Sequence, residues 1–208
     1  MSSATSGSAD QKRITVFTPT YNRAYILPQL YHSLQRQTFL NFEWLIVDDG
    51  SSDDTEKTVM QWSEKDDSFR IRYHKQKNGG KHRAVNRGLS LAEGVIFFVV
   101  DSDDYLTDDA LEKIDRWFRE LGEDPSLVSV AANKGTSPTQ TVNAFFTEPY
   151  LDQSFLNMGS YTENGKLVLN GERAIAFYTE VHRKYLYPEF EGENFLTEAI
   201  VYNRMAHD

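Results

Sequence analysis

Acidic side chains gather where the most apolar stretch of the chain ends. Val95 to Val100 reads VIFFVV and runs directly into Asp101, Asp103 and Asp104. Carboxylates at that density repel one another, so a strand that ends in them loses stability unless something neutralises the charge. Two carboxylates two residues apart, where the chain turns, can face one hard divalent cation. Mg2+ and Mn2+ take such oxygen ligands and keep water or phosphate in their remaining positions. The plainer alternative is an acidic helix start, since Asp108 and Asp109 precede the next helical pattern and favour its dipole. That explains the later pair better than it explains acids placed directly after an apolar run.

Other polar clusters have chemistry of their own. In DDGSSDDT, Asp48 and Asp49 can accept hydrogen bonds from a base N–H or a ribose hydroxyl. An ordinary strand–turn–helix connection fits the same residues, with Gly50 in the turn and Asp53 as helix cap. TPTYNR offers short polar groups at Thr18, Thr20 and Asn22, a stacking face at Tyr21 and a cation at Arg23. Its plain reading is a helix start preceded by proline. KNGGKHRAVNRG joins a double glycine to Lys81, His82 and Arg83, which suit a diphosphate; a solvated helix face is the alternative there.

These clusters need elements to hold them. Ile14 to Thr18 reads as a buried strand, followed by a helical face of Ile26, Leu30 and Leu34 with Pro28 in its first turn. Phe42 to Val47 reads as a second strand, and a helix carrying Val59 and Trp62 follows it. RIRYH is a shorter strand; a helix runs from Lys81 to about Ala92, and Val95 to Val100 is the next strand. Leu111, Ile114, Phe118 and Leu121 share a helical face, and SLVSVAAN is a further strand. Alternation of this kind predicts an α/β fold with a mainly parallel sheet between helices, and ligands bind beyond the carboxyl ends of such strands. Each polar cluster lies at one of those ends. From Gly135 to Pro149 the pattern predicts a loop, near Glu172 to Phe177 a short helix, and from near Leu196 a last helix.

Composition narrows the function. The chain has 208 residues, 39% of them hydrophobic, enough for one sizeable domain, and no cysteine for disulfides or thiolate metal sites. A net charge of -9 argues against sequence-independent nucleic-acid binding, which depends on basic residues displacing counterions. No apolar run approaches the ~20 residues of a membrane helix. Residues 1–13, rich in Ser, Ala and Gly, read as a disordered leader. G-x-G-x-x-G, the P-loop, G-x-S-x-G and H-E-x-x-H are all missing from the sequence.

Taken in order, ITVFTPTYNR, FEWLIVDDGSSDDT, KNGGKHRAVNRGLSLAEG and VIFFVVDSDDYL resemble the inverting glycosyltransferases of family 2, which have the GT-A fold. EGENFLTEAIVYNRMA is similar to the acceptor-side segment of bacterial members that build surface polysaccharides. The resemblance implies a Rossmann-like nucleotide-binding half over 14–133 and a smaller acceptor-side half over 134–208. It implies a nucleotide-sugar donor, UDP-linked, and a saccharide or lipid-linked saccharide acceptor. It also implies a cytoplasmic protein, with peripheral contact at the inner face of the membrane. Asp101 and Asp103 match the D-x-D motif, so Asp103 would bind Mn2+ or Mg2+ and Asp101 the metal shell or ribose, with Asp104 supporting. Asp49 or Asp48 would contact the base or ribose; Thr18, Pro19, Tyr21 and Arg23 would line the nucleotide pocket, and Lys81 would approach the diphosphate. Glu198 would be the general base, with Glu193 and Glu191 as substitutes. Family members generally continue past the last helix, so a trimmed catalytic core is expected here. The rival readings are a nucleotide-sugar-binding module without turnover and an Asp-nucleophile phosphotransferase.

Overall fold

A computed structural model describes residues 12–122, 124–137, 139–142, 154–157 and 172–208. Its centre is β1 (Ile14–Thr20), buried along its whole length. On one side β1 pairs in parallel with β2 (Phe42–Asp48), and β2 in turn with β3 (Arg70–Lys75). On the other side it pairs in parallel with β4 (Ile96–Val99). The register matches Thr20 with Asp48 and Phe17 with Val99, so the segments that follow all emerge at one rim of the sheet.

The helices that return the chain are α1 (Leu27–Gln35), α2 (Thr55–Lys65), α3 (Lys81–Leu91) and α4 (Ala110–Glu120). Side chains alternate across each strand and feed two cores. Val16, Trp44, Ile46 and Phe98 pack with Leu30 and Leu34 of α1, Val59 of α2, and Leu111, Ile114 and Phe118 of α4. Phe17, Leu45, Val47 and Phe97 pack on the opposite face with Ala84, Val85 and Leu89 of α3.

After α4 come β5 (Ser129–Asn133), a small hairpin of β6 (Gly135–Ser137) and β7 (Gln140–Thr141), and a 3-10 turn at Phe155–Asn157. β8 (Arg173–Tyr178), α5 (Thr179–His182) and α6 (Ala199–His207) complete the order. The main sheet runs β3-β2-β1-β4-β8-β5, and β8 is antiparallel to both neighbours.

Several expectations need correction. The segment expected as a helix near Glu172 to Phe177 is β8. Its alanines and glutamate favour a helix locally, but hydrogen bonding to β4 and β5 on both sides overrides that preference. The stretch expected as a loop from Gly135 contains the β6–β7 hairpin, and the rest of it, from 143 on, lies outside the described residues. Asp53 does not cap α2 from the N-cap position, which Asp54 occupies. Instead, Asp53 accepts bonds from the backbone and hydroxyl of Thr55 and from the Ala24 N–H, tying α2 to the chain after β1. The leader expected over 1–13 lies outside the described residues as far as residue 11, while Arg13 belongs to the fold through a 2.6 Å ion pair with Asp115.

Gly88 shows how closely α3 sits on the sheet. A Cβ there would lie 2.2 Å from the ring of Phe17, which is fully buried and stacked on Phe97. Helix propensity alone would favour alanine by ~1 kcal/mol. The overlap outweighs it, because an overpacked core typically costs ~1–3 kcal/mol. Gly88→Ala is therefore expected to lower stability, seen as a reduced urea midpoint at unchanged m-value.

Candidate active site

The rim is built around the start of α3. Gly80 precedes it with φ +95, a backbone conformation natural to glycine. The Asp49 carboxylate, at the end of β2, accepts the N–H of Gly79 at 3.0 Å, that of Gly80 at 2.7 Å, and the Gln76 amide at 2.8 Å. Held in this way, the turn sends Lys81 across the rim. Its Nζ lies 2.8 Å from Asp101 and 3.3 Å from Glu198, one acid from the end of β4 and the other at the N-cap of α6. Burial works against the Lys81 ammonium, but the two carboxylates more than offset it and raise its pKa.

Each neighbouring acid also has a cation. Asp104 pairs with Lys134 at 2.9 Å, and Asp103 lies 3.9 Å from Arg23. Lys134 is likewise partly desolvated, yet Asp104, Asp101 and Glu172 raise its pKa.

Behind the Lys81 cluster lies a cavity of about 270 Å³, whose walls include Asp101, Glu198, Lys134, His182, Tyr187 and Tyr202. Burial first, and then nearby charge, from Tyr202, Glu198 and Asp101 at Tyr187 and from Glu198 and Asp101 at Tyr202, pushes both tyrosines well above the ordinary phenol range, so they keep their protons. Among the described residues neither ring nitrogen of His182 has a hydrogen-bond partner, and burial pushes its pKa down to about 4. The site thus combines ammonium groups for an anion, neutral phenols for hydroxyls, and a half-exposed carboxylate able to take a proton.

The expected site residues separate in space. Lys81, Asp101 and Glu198 come together, and Arg23 meets Asp103, with Tyr21 half exposed in the adjoining loop. Thr18 is fully buried, and its hydroxyl accepts the Trp44 indole N–H at 2.9 Å; Pro19 is buried beside it. Asp48 is buried and accepts the Ser51 N–H and the Tyr73 hydroxyl. Asp49 is occupied by the turn, as described. Of the substitutes for Glu198, Glu193 accepts the Phe195 N–H within its own loop, and neither it nor Glu191 lines the cavity. Sequence reasoning did not single out Lys134, His182, Tyr187 or Tyr202. All four depend on how β8 and the chain around it are placed, and no local motif marks that placement.

Asp101 and Asp103 are hard oxygen donors that suit Mn2+ or Mg2+. Among the described residues no group of three or more His, Cys, Asp or Glu side chains could hold a metal. Two carboxylates nonetheless fit an ion that keeps waters and substrate phosphate as its other ligands.

The family model for glycosyl transferase family 2 matches residues 15–184, and the chain belongs to that family. It is 38% identical over 104 residues to the Campylobacter jejuni GalNAc(5)-diNAcBac-PP-undecaprenol beta-1,3-glucosyltransferase, covering 49% of this chain and 33% of that protein. Staphylococcus aureus TarS 1-349, solved in complex with UDP-GlcNAc, superposes with a TM-score of 0.70 at 24% identity, over 93% of this chain and 53% of that one. The mannosyltransferase PcManGT from Pyrobaculum calidifontis, solved with GDP-Man and Mn2+, gives a TM-score of 0.62 at 24% identity, over 86% of this chain and 48% of that one. These likenesses establish the GT-A fold. The chain spans about a third or less of the length of the curated relatives it matches first. Among the described residues no helix is long and apolar enough to cross a membrane.

The state of His182 predicts a pH effect. Its folded pKa of about 4 lies below the ordinary histidine value of 6.5, so the unfolded chain binds the extra proton between those values. The contribution to stability is complete above pH 6.5 and is lost as pH falls towards 4, with a limiting slope of about 1.4 kcal/mol per pH unit. Urea denaturation between pH 4.5 and 7 should show His182→Leu with a shallower acid slope than wild type, by up to one proton.

Proposed function

We propose that the chain carries the catalytic core of a metal-dependent inverting glycosyltransferase, moving a sugar from a UDP-linked donor to a hydroxyl of a saccharide or lipid-linked saccharide acceptor. The observation that carries this reading is the Lys81 ammonium set between Asp101 and Glu198, 2.8 and 3.3 Å away. It joins a donor-side acid from the parallel sheet to an acceptor-side acid on the last helix. Membership of family 2 supports sugar transfer, and the lipid-linked glycan in the name of the Campylobacter relative supports an acceptor of that class. A cytoplasmic place, with peripheral contact at the inner face of the membrane, accords with such an acceptor.

In this mechanism Glu198 accepts the proton of the acceptor hydroxyl. The freed oxygen attacks the anomeric carbon from the face opposite the nucleoside diphosphate, and the carbon–oxygen bond to the diphosphate breaks with its electron pair. One displacement inverts that carbon. Lys81, released from its carboxylates, faces the leaving diphosphate, and Arg23 and Tyr21 sit where a nucleotide would lie along the rim. Asp101 and Asp103 would hold Mn2+ or Mg2+. When bound, the ion supplies Lewis-acid neutralisation of the charge that develops on the diphosphate.

Two variants test this. Asp103→Asn should abolish Mn2+-dependent UDP binding by isothermal titration while the fold survives, and equal affinities for mutant and wild type would refute the metal role. Glu198→Gln should keep UDP affinity but lose turnover by ~10²–10⁴-fold. Turnover is read as nucleotide release from a panel of UDP-glucose, UDP-GlcNAc and GDP-mannose, with water or free sugars as acceptor. Metal-dependent UDP binding without release of nucleotide from any donor, also in a chain extended to the length of the relatives, would favour a binding module instead.

A further inference from the structure

The segment between α5 and α6 carries Glu198 into the site, yet it has little regular structure of its own. Its position is set from outside, by one face of α3. The Arg83 guanidinium donates to the Phe190 carbonyl at 2.6 Å and to the Glu193 carbonyl at 2.9 Å, and its Nη1 also donates to the Gly79 carbonyl at 2.7 Å. One turn further along, the Asn86 side chain donates to the Tyr187 carbonyl and accepts the Tyr187 N–H, both at 2.9 Å. Gly80 completes the seat: a Cβ there would lie 2.1 Å from the Asn194 carbonyl oxygen, so the loop rests directly on the turn that precedes Lys81.

We propose that Arg83 is a positioning residue for Glu198, clamping the acceptor-side loop to the diphosphate-side turn so that base and donor site share one frame. Arg83 does not line the cavity behind Lys81 and acts through the loop it holds, where its Nε also lies 3.4 Å from the Glu189 carboxylate. A guanidinium suits this task because its planar fork presents several donors in fixed directions, whereas an ammonium is a single point. Since Nη1 bridges Gly79 and Glu193, a shift of the glycine turn as a diphosphate arrives would be passed to the loop that ends in Glu198. This inference rests on the reading of Glu198 as the base.

Arg83→Lys tests it, keeping the charge and most of the stem while losing the fork. Amide hydrogen exchange across 187–198 should quicken about tenfold in Arg83→Lys, with α3 and the sheet unchanged and UDP affinity within about twofold of wild type. Asn86→Ala, which removes the second anchor, should loosen the same segment. With the panel donor that releases nucleotide fastest, Arg83→Lys should lower kcat about 10- to 100-fold, as small misplacements of catalytic groups do. In a Glu198→Gln background it should lower kcat no further. Unchanged exchange in 187–198, or losses that multiply in the double mutant, would overturn the proposal. Full turnover by Glu198→Gln alone would remove that residue as the base, while the exchange experiment would still decide the clamp.

Discussion

The site depends on a buried carboxylate that satisfies backbone. Asp49 is only 5% exposed, and an acid so placed is costly unless it is fully hydrogen-bonded. It meets that cost with the N–H groups of Gly79 and Gly80 and the Gln76 amide. Those bonds join the end of β2 to the beginning of α3, which makes the glycine turn a fixed part. From it follow the direction of Lys81 towards Asp101 and the reach of Arg83 to the late loop. Two elements that are distant in sequence are thereby set against the rim of one sheet.

The charges at that rim form a matched set. Asp101, Asp103 and Asp104 each face a cation, supplied by Lys81, Arg23 and Lys134 respectively. These pairs are partly exposed and add little to folding stability. On the proposed function their value lies in exchange: a nucleotide diphosphate would offer the cations new partners, and a divalent ion would offer the same to the acids, so both could enter without leaving a charge stranded. The repulsion expected from the acids in sequence is thus already relieved in the folded chain. The relief comes from side chains on three separate parts of the chain.

Much of this was legible in the sequence, and the limits have physical causes. The parallel strands could be read because both faces are covered, which leaves continuous apolar runs such as FEWLIV and VIFFVV. Lys81, Asp101 and Glu198 stood out by their motifs, and the fold brings them together. Thr18, Asp48 and Asp49 look the same in sequence whether they face a ligand or the interior. Only the contacts with Trp44, Tyr73 and the glycine turn show where they point in the folded chain. β8 could not be read because its strand state comes from neighbours far away in the chain. Tyr187, Tyr202 and His182 entered the cavity unseen for the same reason.

The placement of β8 also governs the order in which the protein can be made. β4 is complete once residue 99 has been synthesised, but its second neighbour ends at residue 178. Until then one of the most apolar strands of the sheet, IFFV, has a bare hydrogen-bonding edge. Open edges of that kind pair readily with other chains. A nascent chain must hold this edge unpaired across some 80 residues of synthesis, a wait that long-range pairing imposes on slow-closing sheets. Production of this domain is accordingly most exposed to self-association in the interval between α4 and β8.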